Sequence, residues 1–301
     1  MQNIDGYLQQ LINGLVTGSI YAMVALGYTM VYGILGIINF AHGEVMMIGT
    51  MVAMTVSTLL ISMGLPIMLV LLISALLAMI ACMMLSFLIE RVAYRPLRNA
   101  PKLAPLITAI GVSFLLQAVA QAVPFWGKSP RLFPEMLPST RVILFHDVGI
   151  TVREIVIVVL SMVMMVGLVT LVNKTKLGRA MRATSENVGV TGLMGVNPNR
   201  VISATFMIGA ALAAVAGIMY AMNSGKAHFA MGVMPGMKAF IAAVLGGIGN
   251  IQGAVVGGLF LGIAEAFGAG EYQDVYAFAI LVLVLILRPS GLLGQRTADR
   301  A

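Results

Sequence analysis

The chain has 301 residues, of which 60% are hydrophobic and only 10% charged, with 18 Lys and Arg against 11 Asp and Glu. Its mean hydropathy of +1.00 excludes an ordinary soluble globule, in which apolar and charged shares run near ~45–50% and ~25%. The composition describes a polytopic membrane protein, so the net charge of +7 is read through its distribution along the chain and not as a nucleic-acid signal.

Apolar runs of about 20 residues, long enough as helices to cross a ~30 Å hydrocarbon core, are predicted in chain order. They lie at 8–33, 45–63, 66–89, 104–123, 152–172, 199–222, 251–270 and 273–288, with a shorter apolar piece at 237–249. The expected fold is therefore all-α: a polytopic transmembrane helical bundle of eight or nine spans. No second domain is visible, so residues 1–301 are expected to form one transmembrane unit. The N-terminal MQNIDGYLQQ carries Asp5 and no Lys or Arg before its first apolar run, which argues against a cleavable signal peptide.

The first and second runs are joined by GIINFAHGEVMMIG, 36–49. Between Asp5 and Glu90 the only formally charged residue is Glu44, two residues after His42 and five after Asn39. Asn39 is predicted to cap a helix running on from Phe40, with Glu44 near its first turn, where the positive end of the helix dipole tempers the cost of a carboxylate. The cluster then marks a helix that begins at membrane depth. Asn39, His42 and Glu44 either satisfy one another and the helix end or line a polar substrate pathway, since ionisable residues inside a membrane are functional by default.

Lys and Arg gather in three places: Arg91, Arg95, Arg98 and Lys102; Lys174, Lys176, Arg179, Arg182 and Arg200; and Arg288, Arg296 and Arg300. The positive-inside rule makes these segments cytoplasmic and places the N-terminus outside and the C-terminus inside. The outer tract 124–151 holds Pro124, Pro130, Pro134 and Pro138 and then a hairpin expected around His146 to Gly149. Parity from an outer 236 to an inner tail needs three crossings, yet 237–249 is too short to span alone; a half-helix shielded by protein resolves this.

Within 173–200, Ser185 is expected to cap a short helix whose Val190, Leu193 and Met194 share one face. Gly195 would end it before Asn197-Pro198 opens the next span, and Arg179, Arg182 and Glu186 flank it. An apolar face on a short cytoplasmic helix wants a partner. Further on, Gly249, Gly253 and Gly257 recur every four residues, as do Gly258 with Gly262 and Gly14 with Gly18, which predicts close helix packing. GGIGNIQGAVVGG, 246–258, echoes the first interruption through Asn250 and Gly253, so Asn250 joins the pathway candidates. Paired interruptions in two halves point to inverted repeats around a central pathway.

Catalytic and cofactor signals are absent from the sequence. WGKS at 126–129 has Ala122 where a phosphate loop needs Gly, and Gln252 breaks the dinucleotide pattern begun at Gly247. His42, His146 and His228 are too scattered for a local metal motif, and the single cysteine, Cys82, lies in an apolar run. Any ATPase that drives this chain must be another chain.

INFAHGE at 38–44, LGRAMRATSENVGVTGLMGVNPNRV at 177–201, GMKAFIAAVLGGIGNIQGAVVGGLFLGIAEA at 236–266 and LRPSGLLG at 287–294 together resemble the permease subunits of branched-chain amino-acid ABC transporters. Relatives commonly carry Ala at the position of Thr191 and an acidic residue at that of Asn187. The resemblance implies a bacterial inner-membrane importer: a second homologous permease, two cytoplasmic ATPases that use the ATP, a periplasmic solute-binding protein, and in this chain no cofactor of its own. It implies too that the 173–200 loop carries the ATPase-coupling helix. Relatives also import urea, amides or other small polar compounds. An ion-coupled secondary transporter would share the interrupted helices but has no need of an ATPase-docking loop.

Overall fold

The structure is a computed structural model and describes residues 2–98, 100–101, 103–145, 148–268, 273–288 and 290–294. Lys102, His146, Arg296 and Arg300, used in the sequence reading, lie outside the described residues. Eleven α-helices occupy most of the described chain. They are α1 (Gln2–Leu35), α2 (His42–Ser62), α3 (Ile67–Ile89), α4 (Leu103–Ala122), α5 (Val152–Lys174), α6 (Lys176–Glu186), α7 (Val188–Leu193), α8 (Pro198–Ser224), α9 (Val233–Gly246), α10 (Ile251–Ala266) and α11 (Gln273–Leu287).

Six of these, α1 to α5 and α8, are long and apolar enough to cross a membrane. α9, α10 and α11 are apolar but have only 14, 16 and 15 residues. The eight or nine spans expected from the sequence are thus not all full-length helices. α1 and α8 form the centre: their apolar windows are 89% and 83% buried, against 22% for α3 and α4. On one side α1 packs on α5, α8, α9 and α10; on the other α2 packs on α3 and α8. Leu72, Leu76 and Val166 are exposed on the outer helices, as a lipid-facing belt requires.

Local chemistry explains the element ends. Thr151 and Glu154 make a reciprocal capping box at the start of α5, and Asn197 accepts from Asn199 and Arg200 N–H with Pro198 in the first turn of α8. Gly225 closes α8 at φ 70°, a left-handed position that suits glycine. α3 continues into a π turn, Glu90–Tyr94, and a short 3₁₀ turn, Arg95–Leu97. The expected hairpin is present as β2 (Arg141–Phe145) against β3 (Val148–Thr151), while β1 (Arg131–Leu132) pairs with β4 (Lys226–Ala227) just after α8.

Glycines set the closest approaches. A Cβ on Gly258 would strike Ala22 and one on Gly262 would strike Gly18, so α10 lies directly on α1; Gly253 and Gly257 likewise face Gly246 and Ala242 of α9. Gly249 differs from the expected stripe. It lies before α10 in a left-handed conformation, φ 93°, as part of a turn, and faces Gly33 from outside any helix. The helical glycine periodicity therefore begins at Gly253.

Candidate functional site

α1 and α2 are interrupted at 36–41, and α8 and α9 at 225–232. The first break is shaped by Asn39, whose Oδ1 accepts from Ala41 N–H at 3.1 Å while its backbone carbonyl accepts from His42 N–H at 3.0 Å. Asn39 is thus not the N-cap expected from the sequence. The helix begins two residues later, at His42, with Ala41 in the cap position and no side-chain cap. Asn39 folds the chain into an Asx turn and receives the Tyr94 hydroxyl at 2.7 Å.

After the turn the chain has come back along α1. The His42 ring fills the space where a Cβ on Gly27 would go, and Gly209 of α8 lies against the same spot. Gly27 is about two turns from the end of α1 at Leu35, so His42 starts its helix ~12 Å up from that end at 1.5 Å per residue. His42 is 3% exposed, makes an edge contact with Tyr28 at 4.9 Å and leaves Nε2 without a partner.

The second break brings α9 to the same place. A Cβ on Gly232 would collide with the Gly43 carbonyl, and one on Gly236 would lie 3.0 Å from Gly43 Cα. The N-termini of α2 and α9 therefore meet inside the bundle, each at the end of a broken helix. The sequence reading paired the 36–44 interruption with Asn250, and the structure corrects this. Asn250 caps α10 by accepting from Gln252 and Gly253 N–H and donates its amide to the Leu293 carbonyl at 2.8 Å, close to the end of α1. Asn39, His42 and Glu44 share one helix break but their side chains meet different partners, and Asn250 lies at another break.

Glu44 faces away from His42 into a cavity of about 470 Å³. Its Oε1 accepts from Gln117 Nε2 at 2.9 Å and from Ser113 Oγ at 3.3 Å, while Oε2 has no partner although the residue is only 2% exposed. Tyr28, Phe40, Phe114 and Met237 give the cavity an apolar wall, and Gly232 and Gly236 give it a backbone wall. No salt bridge reaches Glu44 among the described residues. The arrangement is a carboxylate between two helix N-termini, in a compartment of the size that small-molecule sites occupy, about 300–1,000 Å³.

Ser113 and Gln117 escaped the sequence reading, although polar residues four apart in the apolar α4 share one helix face. So did a second set of charges. Lys238 Nζ lies 2.7 Å from Glu265 Oε1 and 2.6 Å from Asp274 Oδ1, and the Tyr21 hydroxyl donates to Glu265 Oε1 at 3.3 Å. Lys238 and Glu265 sit in apolar helices, the same signal that singled out Glu44.

In the 173–200 segment α6 is capped by Thr175 and α7 by Asn187, whose Oδ1 accepts from Val190 N–H. Ser185 is not the cap expected from the sequence; it lies inside α6 and donates to the Arg182 carbonyl. Asn187 wins because it has the extended backbone a cap needs. Val190, Leu193 and Met194, at the end of α7, are 54%, 88% and 78% exposed. Gly195, at φ 80°, ends it. Arg182 donates to the Val172 carbonyl, and neither Arg179, Arg182 nor Glu186 makes a salt bridge among the described residues.

Broken helices meeting at depth around one carboxylate, inside a bundle with lipid-facing flanks, define a polytopic membrane permease. The family described as "Branched-chain amino acid transport system / permease component" matches residues 10–287, and the chain belongs to it. It is 47% identical to the high-affinity branched-chain amino acid transport system permease protein BraD of Pseudomonas aeruginosa, over 100% of both chains. It is 43% identical to the permease protein LivH of the corresponding high-affinity system of Escherichia coli K12, over 98% of this chain and 97% of that one. LivH of Salmonella typhimurium is 42% identical over the same shares. No solved structure matches the chain. The chain is thus the permease component of a multicomponent transport system and a multi-pass membrane protein.

Proposed function

We propose that this chain is a membrane-spanning subunit of an ATP-driven importer that carries branched-chain amino acids across the bacterial inner membrane. The observation that carries the reading is identity of 42–47% along essentially the whole chain to permeases named for that substrate class. In this reading a second, homologous permease lies beside it, two cytoplasmic ATPases use the ATP, and a periplasmic solute-binding protein delivers the solute. The N-terminus is periplasmic and the arginine-rich loops are cytoplasmic.

The 173–200 segment is the transmission element, and its exposed Val190, Leu193 and Met194 are the face that docks into an ATPase. Asn39 and His42 shape the helix break beside the pathway, and Glu44 lines it. Asn250 supports the pathway only indirectly, by tying α10 to the tail at Leu293. The chain needs no cofactor of its own.

The test is reconstitution in liposomes. The chain with its partner permease, ATPases and binding protein takes up L-leucine only with ATP; the chain alone takes up none. Leu193→Asp abolishes leucine-stimulated ATP hydrolysis and frees the ATPases on purification while the permease stays in the membrane. Uptake by the chain alone under an ion gradient would overturn the reading in favour of a secondary transporter.

A further inference from the structure

The π turn at the end of α3, Glu90–Tyr94, is the one such turn among the described residues, and turns of this kind recur at functional sites. Its side chains hold two elements that are far apart in the chain. Glu90 is fully buried; it accepts from Arg98 on Oε1 and from Ser203 Oγ on Oε2 at 2.6 Å. Arg98 Nη1 in turn donates to Asn199 Oδ1 at 2.6 Å. Asn199 and Ser203 stand in the first and second turns of α8, which follows α7 after Gly195 and the Asn197 cap. On the other side the Tyr94 hydroxyl donates to Asn39 Oδ1 at 2.7 Å, the same oxygen that shapes the Asx turn before α2. The Tyr94 ring also packs on Phe206 of α8, with centroids 5.5 Å apart. Stability alone does not call for a buried carboxylate here, since well-packed apolar residues often serve a fold as well as a buried ion pair.

We propose that Glu90–Arg98 is a strut that carries displacement of the 173–200 segment to the helix break at 36–41: Arg98 and Glu90 hold the start of α8, and Tyr94 passes the movement to Asn39 and so to the first turn of α2, where Glu44 sits. The proposal rests on the permease reading above, in which α7 docks into an ATPase, and deepens it by naming how that movement reaches the Glu44 cavity. Glu90, Tyr94 and Arg98 are positioning residues, for none of them lines the cavity. Three features make the connection stiff. A cap on Asn197 and Pro198 fix how α8 leaves the loop, so α8 follows the loop as a body. The hold on α8 is a charge-assisted hydrogen-bond set out of water, the strongest kind a side-chain contact offers. Tyr94 follows Glu90 within one turn, so the two ends of the strut cannot shift independently without breaking a buried bond.

The experiment is ATP-driven L-leucine uptake by the complete transporter in liposomes, with uptake and ATP hydrolysis measured on the same sample. Tyr94→Phe keeps the ring on Phe206 and loses the donor to Asn39; Asn199→Ala removes the acceptor for Arg98 and leaves Arg98 on Glu90. Each is expected to lower the leucine taken up per ATP hydrolysed by about threefold or more. Leucine-stimulated hydrolysis and retention of the ATPases on purification are expected to be kept, because the docking face is untouched. The double variant is expected to lose no more than the worse single one, since both cut one connection in series, whereas two unrelated packing defects would multiply. Ser203→Ala, which takes a donor from Glu90, is a third variant, so the prediction stands where another fails to elute as a folded complex. Unchanged uptake per ATP in the folded variants, uptake that falls only in step with hydrolysis, or a double variant whose loss is the product of the two would each overturn the strut. Wild-type uptake with indifferent variants sinks the strut alone, while a wild-type transporter without ATP-driven uptake sinks the permease reading with it.

Discussion

Among the sets of buried charges in this bundle, two are built in opposite ways. Lys238 is held between Glu265 and Asp274, with Tyr21 donating to the same Glu265 oxygen and its ring 5.8 Å from Nζ. That cluster joins α9, α10, α11 and α1 and sets one lysine between two carboxylates, of which Asp274 is half exposed. Glu44, also buried, has amide and hydroxyl donors on one oxygen and helix N-termini nearby, but no cation among the described residues. Glu265, like Glu44, leaves Oε2 unpartnered, so the difference is not hydrogen-bond count but charge balance. Charge matched by side chains fastens helices together; Glu44, matched by no side-chain cation among the described residues, borders a cavity instead.

The contrast is most directly broken at Lys238. Lys238→Met leaves Glu265 buried and uncompensated and is expected to destabilise the protein by about 3–5 kcal/mol, read as thermal unfolding in detergent. Replacing Lys238 and Glu265 together by Met should recover most of that loss, because no unpaired buried charge remains. A Lys238→Met protein as stable as wild type would mean that the cluster fastens nothing.

A smaller effect is expected where the two broken helices touch. Gly232→Ala drives a methyl into the Gly43 carbonyl, and the strain of overpacking amounts to about 1–3 kcal/mol. The same variant should reduce leucine uptake, since it displaces the α9 end from Glu44; unchanged uptake would separate the helix contact from the pathway.

The smallest effect belongs to the turn that precedes α2. Tyr94→Phe removes the 2.7 Å hydrogen bond to Asn39, a loss of about 0.5–1.5 kcal/mol. The lower end of that range is expected, because Asn39 Oδ1 keeps the Ala41 N–H. A loss well above it would show that the break depends on α3 and not on its own Asx turn.

Several of these features are readable in the chain alone. Glu44 stands out because no other charge occurs between Asp5 and Glu90, and the membrane forbids such a residue without cause. Caps with a strict local pattern, such as Asn197-Pro198 ahead of α8 and Gly195 after α7, are legible because three or four residues carry the whole interaction. Ser185 and Asn187 show the limit: both are good caps, and only the backbone of the fold decides between them.

What the sequence determined by itself is therefore the solvent and the style of the protein: a helical bundle in lipid, broken near Glu44, with a basic loop bearing an apolar face. Hydropathy, charge asymmetry and short capping patterns are all local, and they survive without tertiary knowledge. The tertiary structure alone decided which break faces which. Asn250 and Gly232 both sit at a helix start, but Asn250 caps α10 near Leu293, whereas Gly232 meets Gly43 beside Glu44. The depth of a helix end and its partner across 190 residues depend on how α1 and α8 pack, and no pattern of neighbouring residues encodes that.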